Sequence, residues 1–312
     1  QFTSTFLGQS LYVFILVMLF TLYISLFRKD YFANPGSILF LYALLIIFPV
    51  ITSLMIKHTV FSVYIVPFAM APIFVRVFMD SRTAFNSYTI MILLSAVAVR
   101  YQYEFIVVQL VAGLIAIFSL RELSKRSQIF LTALLVTVGS AAIYLALQLT
   151  QTDDFSKLDR SMYTHIAIYG GFLLVTYPLM LIMEKTFGFV STVTMFELSN
   201  TNNELLRRLS EVAPGTFQHS IMVGNLGVEI ASKIRAKGQL VRTGALYHDI
   251  GKMVNPVFFT ENQVGVNPHD KISDLESAKI IIGHVTEGLR LAEKYNLPNI
   301  IKAFITTHHG MG

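Results

Sequence analysis

Residues 244–252 read Gly244-Ala245-Leu246-Tyr247-His248-Asp249-Ile250-Gly251-Lys252, and the rest of the chain is organised around this stretch. An adjacent histidine and aspartate offer an imidazole nitrogen and a carboxylate whose two oxygens can bridge two cations. Oxygen and nitrogen donors without a thiolate suit Fe, Mn, Mg or Zn in a hydrolytic site. Gly251 lets the backbone approach a neighbour closely, and Lys252 supplies a cation able to hold a phosphate. A lone His-Asp pair is common by chance. This one has company: His219 lies 29 residues before His248, His284 lies 35 after Asp249, and His308-His309 come near the end of the sequence.

Working outward, the composition is that of a membrane protein. Of 312 residues, 54% are hydrophobic and only 14% charged, against roughly 45–50% and about 25% in soluble domains; mean hydropathy is +0.60. Cysteine is absent, which excludes disulfides and thiolate metal sites. The sequence starts at Gln1 with no charged segment before Leu7, so its start reads as a fragment boundary, not a signal peptide. Residues 1–190 carry 12 Lys+Arg and 8 Asp+Glu, and residues 191–312 carry 12 and 11. The basic surplus therefore belongs to the apolar half, where it fits lipid headgroups. A nucleic-acid-binding domain would put it in the polar half, and no nucleic-acid partner is expected.

Seven apolar runs of near-spanning length follow one another at about 5–27, 37–57, 59–79, 84–100, 103–120, 127–150 and 161–183; a helix crossing the hydrocarbon needs about 20 residues. One set of loops and helix ends holds Arg28, Lys29, Arg76, Arg82, Arg121, Lys125 and Arg126. The other holds Lys57, Arg100, Lys157 and Arg160 with Asp153, Asp154 and Asp159. The first set should be cytoplasmic, which puts residue 1 outside and residues 185–312 inside. Few ionisable groups fall mid-span, unlike a transporter or proton pump. Pro67, Pro72, Pro178 and Gly170-Gly171 read as tolerated breaks in a packed bundle.

The predicted organisation is all-α: a seven-span polytopic helical bundle at 1–185, a linker helix within 186–213, and an all-helical domain at 214–312. The linker helix starts near Asn203 and ends at Pro214-Gly215. Further helical patterns run over Ile221–Ile234, Leu240–Tyr247, Leu275–Tyr295 and Asn299–Thr307, with a long loop from Pro256 to Asp270. Six of the eight histidines lie after residue 190. His219 is expected to precede a helix, and His269 to be a solvated loop residue. The other five, with Asp249, favour a metal site.

His219 followed by His248-Asp249 resembles the opening of the HD phosphohydrolase superfamily. The longer text is more specific: Leu205-Leu206-Arg207-Arg208-Leu209, Ala213-Pro214-Gly215-Thr216, Ala245 to Met253, Glu261-Asn262-Gln263, Asn267-Pro268-His269-Asp270-Lys271 and His308-His309-Gly310. Behind seven apolar runs, it resembles the seven-transmembrane HD family, whose bacterial members hydrolyse cyclic di-AMP. That resemblance implies a multi-pass bacterial membrane protein with a cytoplasmic HD domain and an extracellular sensor domain ahead of residue 1, and it leaves room for a homodimer. It also implies two divalent transition metals, commonly iron or manganese. His219, His248 and Asp249 would serve one metal; Asp249, His284, His308 and His309 the other, with Asp249 bridging. Water would attack phosphorus, Lys252 would contact phosphate, and cyclic di-AMP would open to pApA.

Two departures from the family pattern stand out. The family's last aspartate ligand lies several tens of residues beyond the His-His pair, whereas this sequence stops at Gly312, so weak turnover is expected of the chain as it stands. Met311 also stands where the family usually has threonine. An HD-GYP cyclic di-GMP phosphodiesterase fits His248 to Pro256, but Gly310 occupies the glutamate position of its second motif. A nucleotidase or alarmone hydrolase is a further alternative. A non-catalytic nucleotide receptor is disfavoured because all six available ligand positions are retained.

Overall fold

Apolar runs of this length close their backbone hydrogen bonds internally, so helices are the structure that lipid permits. The computed structural model describes residues 2–58, 62–120, 127–151, 159–234 and 236–310, and among these there is no strand. The chain divides into two compact units, Gln1–Ser191 and Thr192–Gly312. The loop charges Arg121, Lys125, Arg126, Asp153, Asp154 and Lys157, and Met311, lie outside the described residues.

The first unit contains α1 (Phe2–Phe27), the short α2 (Lys29–Phe32), α3 (Pro35–His58), α4 (Met70–Phe78), α5 (Ser81–Ala96), α6 (Gln102–Ser119), α7 (Ser127–Leu149), α8 (Arg160–Leu173) and α9 (Thr176–Phe187). Among the described residues four helices, Thr3–Phe27, Pro35–His58, Gln102–Ser119 and Ser127–Leu149, are long and apolar enough to cross a membrane. A fifth span results if α8 and α9, bent by 45°, count as one. The bend falls at Leu174–Val175, just after Gly170-Gly171, because Pro178 has no N–H to give the Leu174 carbonyl. The run at 59–79 is not one helix: a 3₁₀ turn at Val63–Ile65 and the turn at Pro67 precede α4. The run at 84–100 gives α5, of 16 residues, shorter than a full crossing.

Two contacts fix these helices. Asp80 caps α5 by accepting from the Arg82 and Thr83 N–H groups, and the Arg28 guanidinium at the end of α1 donates to it across 2.6 Å. Phe40 of α3 packs edge-on against Phe78, Phe187 and Phe189. By contrast α1 leaves Phe6, Leu7 and Phe14 more than 60% exposed, an apolar surface that a lipid environment would cover.

The second unit contains α10 (Thr192–Leu198), α11 (Glu204–Val212), α12 (Pro214–Lys233), α13 (Gly238–Tyr247), α14 (Asp274–Lys294) and α15 (Asn299–Thr307). Asn203 caps α11, whose Leu205, Leu206 and Leu209 are buried. Pro214 ends that helix and also opens α12 as its first residue, where a missing N–H costs nothing. His219 consequently lies inside α12, not before it. α10 is tied to α13 by the Tyr247 hydroxyl donating to the Leu198 carbonyl (2.7 Å) and Thr243 donating to the Met195 carbonyl. Ser273 and Glu276 form a reciprocal capping box that starts α14.

Between α13 and α14 lie 3₁₀ turns at Ile250–Val254, Pro256–Phe258, Thr260–Asn262 and Pro268–Lys271, and the last three fall on the predicted loop. His269 is not solvated there: its Nε2 donates to the Phe258 carbonyl (2.8 Å) and its Nδ1 accepts from Ser277 (2.7 Å), which clasps the loop to α14.

The first turn of this segment lies directly on α14. A Cβ on Gly251 would fall 1.8 Å from the His284 carbonyl oxygen and 2.5 Å from the Gly288 nitrogen, whereas one on Gly283 would meet nothing within 4 Å. Backbone atoms cannot give way as a flexible side chain can. Gly251→Ala should therefore destabilise the protein by about 1–3 kcal/mol or more. Gly283→Ala should stabilise it by up to ~1 kcal/mol. Thermal unfolding in detergent checks both signs, and a Gly251→Ala protein as stable as the parent would contradict the packing.

Candidate metal centre

Three histidines are aimed by the same local device. His248 Nδ1 donates to the Ala245 carbonyl (2.7 Å), His308 Nδ1 to the Ile305 carbonyl (2.9 Å), and His284 Nδ1 to the Ile281 carbonyl. Each acceptor lies three residues back, in the preceding turn of the histidine's own helix or helix end. A carbonyl only accepts, so the proton sits on Nδ1 and Nε2 is the free nitrogen. His248 and His308 cap the C-terminal ends of α13 and α15, and His284 is buried within α14.

The free nitrogens converge. His284 Nε2 lies 3.2 Å from Nε2 of His308 and 3.2 Å from Nε2 of His309. Both Asp249 oxygens are engaged on different sides. Oδ2 accepts from Lys252 Nζ at 2.8 Å and lies 3.2 Å from His248 Nε2. Oδ1 lies 3.4 Å from Nε2 of both His284 and His308, yet is buried without a hydrogen bond. Donor atoms fall into two sets, each within 4.8 Å: His219, His248 and Asp249, and His284, His308 and His309. His219 is exposed, its ring 5.6 Å from that of His248.

These residues fit divalent cations. With neutral rings, His284 and His308 point two lone pairs at each other across 3.2 Å, and Asp249 Oδ1 is a buried acceptor that nothing satisfies. A cation removes both costs. Nitrogen and carboxylate donors, with the Nδ1–H groups held by carbonyls, are the usual arrangement around a bound metal.

Lys252 bridges two carboxylates: its Nζ is 2.8 Å from Asp249 Oδ2 and 2.9 Å from Glu261 Oε1, and it lies over the Phe259 ring. Glu261 in turn accepts from the Thr216 hydroxyl (3.0 Å), and Asn262 donates to that hydroxyl (2.7 Å). Thr216 stands one turn before His219 on α12. The sequence assigns Glu261, Asn262 and Thr216 no individual role; their signal is that Ala213-Pro214-Gly215-Thr216 and Glu261-Asn262-Gln263 belong to the text that carries the family resemblance.

Burial opposes the charge on Asp249, but the nearby His248 and His284 rings and the Lys252 ammonium outweigh it and hold its carboxyl far below the usual range. Burial likewise opposes protonation of His248, yet its contact with Asp249 raises it above an ordinary imidazole. Burial pushes His308 down. Burial works against Lys252 and Glu261 also, but contact with Asp249 and then Glu261 raises the lysine, and contact with Lys252 lowers the glutamate.

Two family descriptions match the chain: "7TM receptor with intracellular HD hydrolase" over residues 3–191, and "HD domain" over residues 216–312. The chain is similar to a protein of Bacillus subtilis (strain 168) named Cyclic-di-AMP phosphodiesterase PgpH. The two are 33% identical over 291 residues, covering 89% of this chain and 41% of that protein. A protein of the same name from Listeria monocytogenes serotype 1/2a is 32% identical over 252 residues, covering 79% and 35%. The chain thus spans about two fifths or less of the length of these relatives. The crystal structure of the L. monocytogenes PgpH HD domain in complex with cyclic-di-AMP shares 42% identity, covering 36% of this chain and 53% of that one, with a TM-score of 0.35.

Proton and metal compete for the same nitrogens. An ion among His219, His248 and Asp249 must compete with a second proton, which the contact with Asp249 favours on His248 Nε2, so its affinity should begin to fall while pH is still above the ordinary imidazole value of about 6.5. His308 resists protonation, so an ion among His284, His308 and His309 should persist to lower pH. Elemental analysis of Mn²⁺-loaded protein equilibrated from pH 8 to pH 5 should show metal leaving in two steps. Loss in one step below pH 6 would contradict the difference between the two sets.

Proposed function

Since the chain belongs to the family of 7TM receptors with an intracellular HD hydrolase, we propose that it is a membrane-bound, metal-dependent phosphodiesterase that hydrolyses cyclic di-AMP to pApA. The observation that carries this is Asp249, a buried carboxylate whose two oxygens face two separate histidine sets. The names of the Bacillus and Listeria relatives support the substrate.

In this proposal His219, His248 and Asp249 hold one ion, and Asp249, His284, His308 and His309 the other, iron or manganese in each case. When bound, two divalent cations supply charge for the phosphoryl oxygens and lower the pKa of the attacking water. The chain's own residues do the rest. Asp249 sets the spacing of the two positions through its rigid carboxylate. The Nδ1–H···O=C bonds hold the imidazoles in place without a rearrangement on binding. Lys252 presents a cation beside Asp249 that can take a phosphate oxygen, and Glu261 with Thr216 keeps that cation from swinging into solvent. The phosphodiester is thereby placed against fixed charges, from which most of the rate advantage in phosphoryl transfer comes.

The same proposal places seven spans in the membrane, residue 1 outside and residues 185–312 in the cytoplasm. It is supported by Arg28, Lys29, Arg76 and Arg82 at one set of helix ends and by the family's description.

One experiment tests chemistry and sidedness together. Membrane vesicles carrying the protein with its chain extended beyond Gly312 through the family's last aspartate, loaded with Mn²⁺, should release pApA from external cyclic di-AMP when inverted. Right-side-out vesicles should do so only after permeabilisation, and cyclic di-GMP should be a poor substrate in both. No turnover by permeabilised vesicles would overturn the activity. Faster cyclic di-GMP turnover would overturn the substrate, and equal rates from intact vesicles of either orientation would overturn the topology.

A further inference from the structure

The first unit has a cavity of about 560 Å³, within the usual range for small-molecule sites, at the end of the bundle where α6 and α8 begin and α7 ends. Its inner wall is Tyr64, Tyr144 and Met162, of which Tyr144 and Met162 are buried in a cluster with Val108 and Ile166. Its rim carries Tyr101, Glu104 and Asp159. Four tyrosines, two carboxylates and one imidazole, His165, thus line a space that contains no lysine or arginine among its described lining residues.

Both carboxylates are fixed. Glu104 Oε1 accepts from the Tyr64 hydroxyl at 2.8 Å, and Asp159 Oδ1 accepts from the Ser161 N–H and hydroxyl at 2.9 and 2.7 Å. Glu104 Oε2 takes no hydrogen bond among the described residues, and the Asp159 carboxylate is held further by the Met162 N–H. Tyr144 is braced edge-on by Tyr163, with ring centroids 5.7 Å apart, and its hydroxyl accepts from Gln148. Tyr101, on the rim, already takes a cation on its face: the Arg100 guanidinium lies 5.4 Å from the ring centroid.

The geometry points to a binding site for a small organic cation, an alkyl- or quaternary ammonium, in this cavity. Aromatic faces attract a cation through the ring quadrupole and tolerate its apolar substituents, and two fixed carboxylates supply the compensating charge. An anion would meet two like charges. A hard metal ion would want several oxygens converging on one point, which an aromatic wall does not offer. A neutral ligand would leave both carboxylates without a purpose. In the orientation proposed above this end faces outside, which would make the cavity an entry point for an external signal; the binding itself does not depend on that orientation.

The test uses the full chain in a maltoside detergent, since choline-headed detergents would occupy the site. Saturation-transfer NMR on the methyl protons measures binding of choline and of its neutral carbon isostere, 3,3-dimethylbutan-1-ol. Choline should bind saturably and at least tenfold more tightly than the isostere. Glu104→Gln and Asp159→Asn should each weaken choline about tenfold. Tyr101→Leu, at a ring 63% exposed and so not needed for folding, should weaken it severalfold. Arg100→Gln, which frees the Tyr101 face, should tighten it. Equal binding of choline and isostere, unchanged choline binding in the Glu104 and Tyr101 variants, or no saturable binding at all would each overturn the site.

Discussion

A carboxylate 2% exposed to solvent is the constraint from which the rest of the HD unit follows. Burying an isolated charge costs several kcal/mol even after relaxation, and two opposite unit charges at 4 Å return only about 4 kcal/mol at an effective dielectric constant of 20. Asp249 is therefore stable as an anion only if cations or strong donors meet both oxygens. Lys252 and His248 meet Oδ2. Oδ1 faces two imidazoles whose protons point the other way, into their own helices. The fold has built a charge with one side open to a metal.

That arrangement depends on backbone approach more than on side-chain packing. The turn that carries Asp249 lies against α14 because Gly251 has no Cβ to strike the His284 carbonyl. The same closeness brings the α14 histidine to the Asp249 oxygen. On the opposite side, Thr216 and Glu261 link α12 to the irregular segment and keep Lys252 in place. The long segment 256–270 thus acts as a wall of the site, held at its far end by His269 between Phe258 and Ser277.

Much of this was legible in the sequence. His248-Asp249 with Gly251 and Lys252 states both the donor types and the need for close packing, and the other four metal-site candidates, His219, His284, His308 and His309, stand out as histidines in or beside helical patterns. The apolar runs announced a membrane protein. Less was legible where one residue serves two neighbours. Pro214 signals a stop in the sequence but not that it also opens α12, so the apolar period at Ile221–Ile234 leaves His219 outside a helix that in fact contains it. The apolar run at 59–79 hid a break, because hydropathy is blind to where the backbone leaves the helix at Pro67. Glu261 and His269 were opaque for a different reason: their partners lie nine and eight residues away through 3₁₀ turns that carry no periodic signal.

The central claim is that one carboxylate, Asp249, bridges two metal ions. Electron paramagnetic resonance of the Mn²⁺-loaded protein tests it most directly, because two ions sharing a bridging ligand couple magnetically and ions on separate ligands do not. The structure predicts the spectrum of an exchange-coupled pair in the parent protein and its loss in Asp249→Ala. A parent spectrum of isolated Mn²⁺ ions at full metal loading would contradict it.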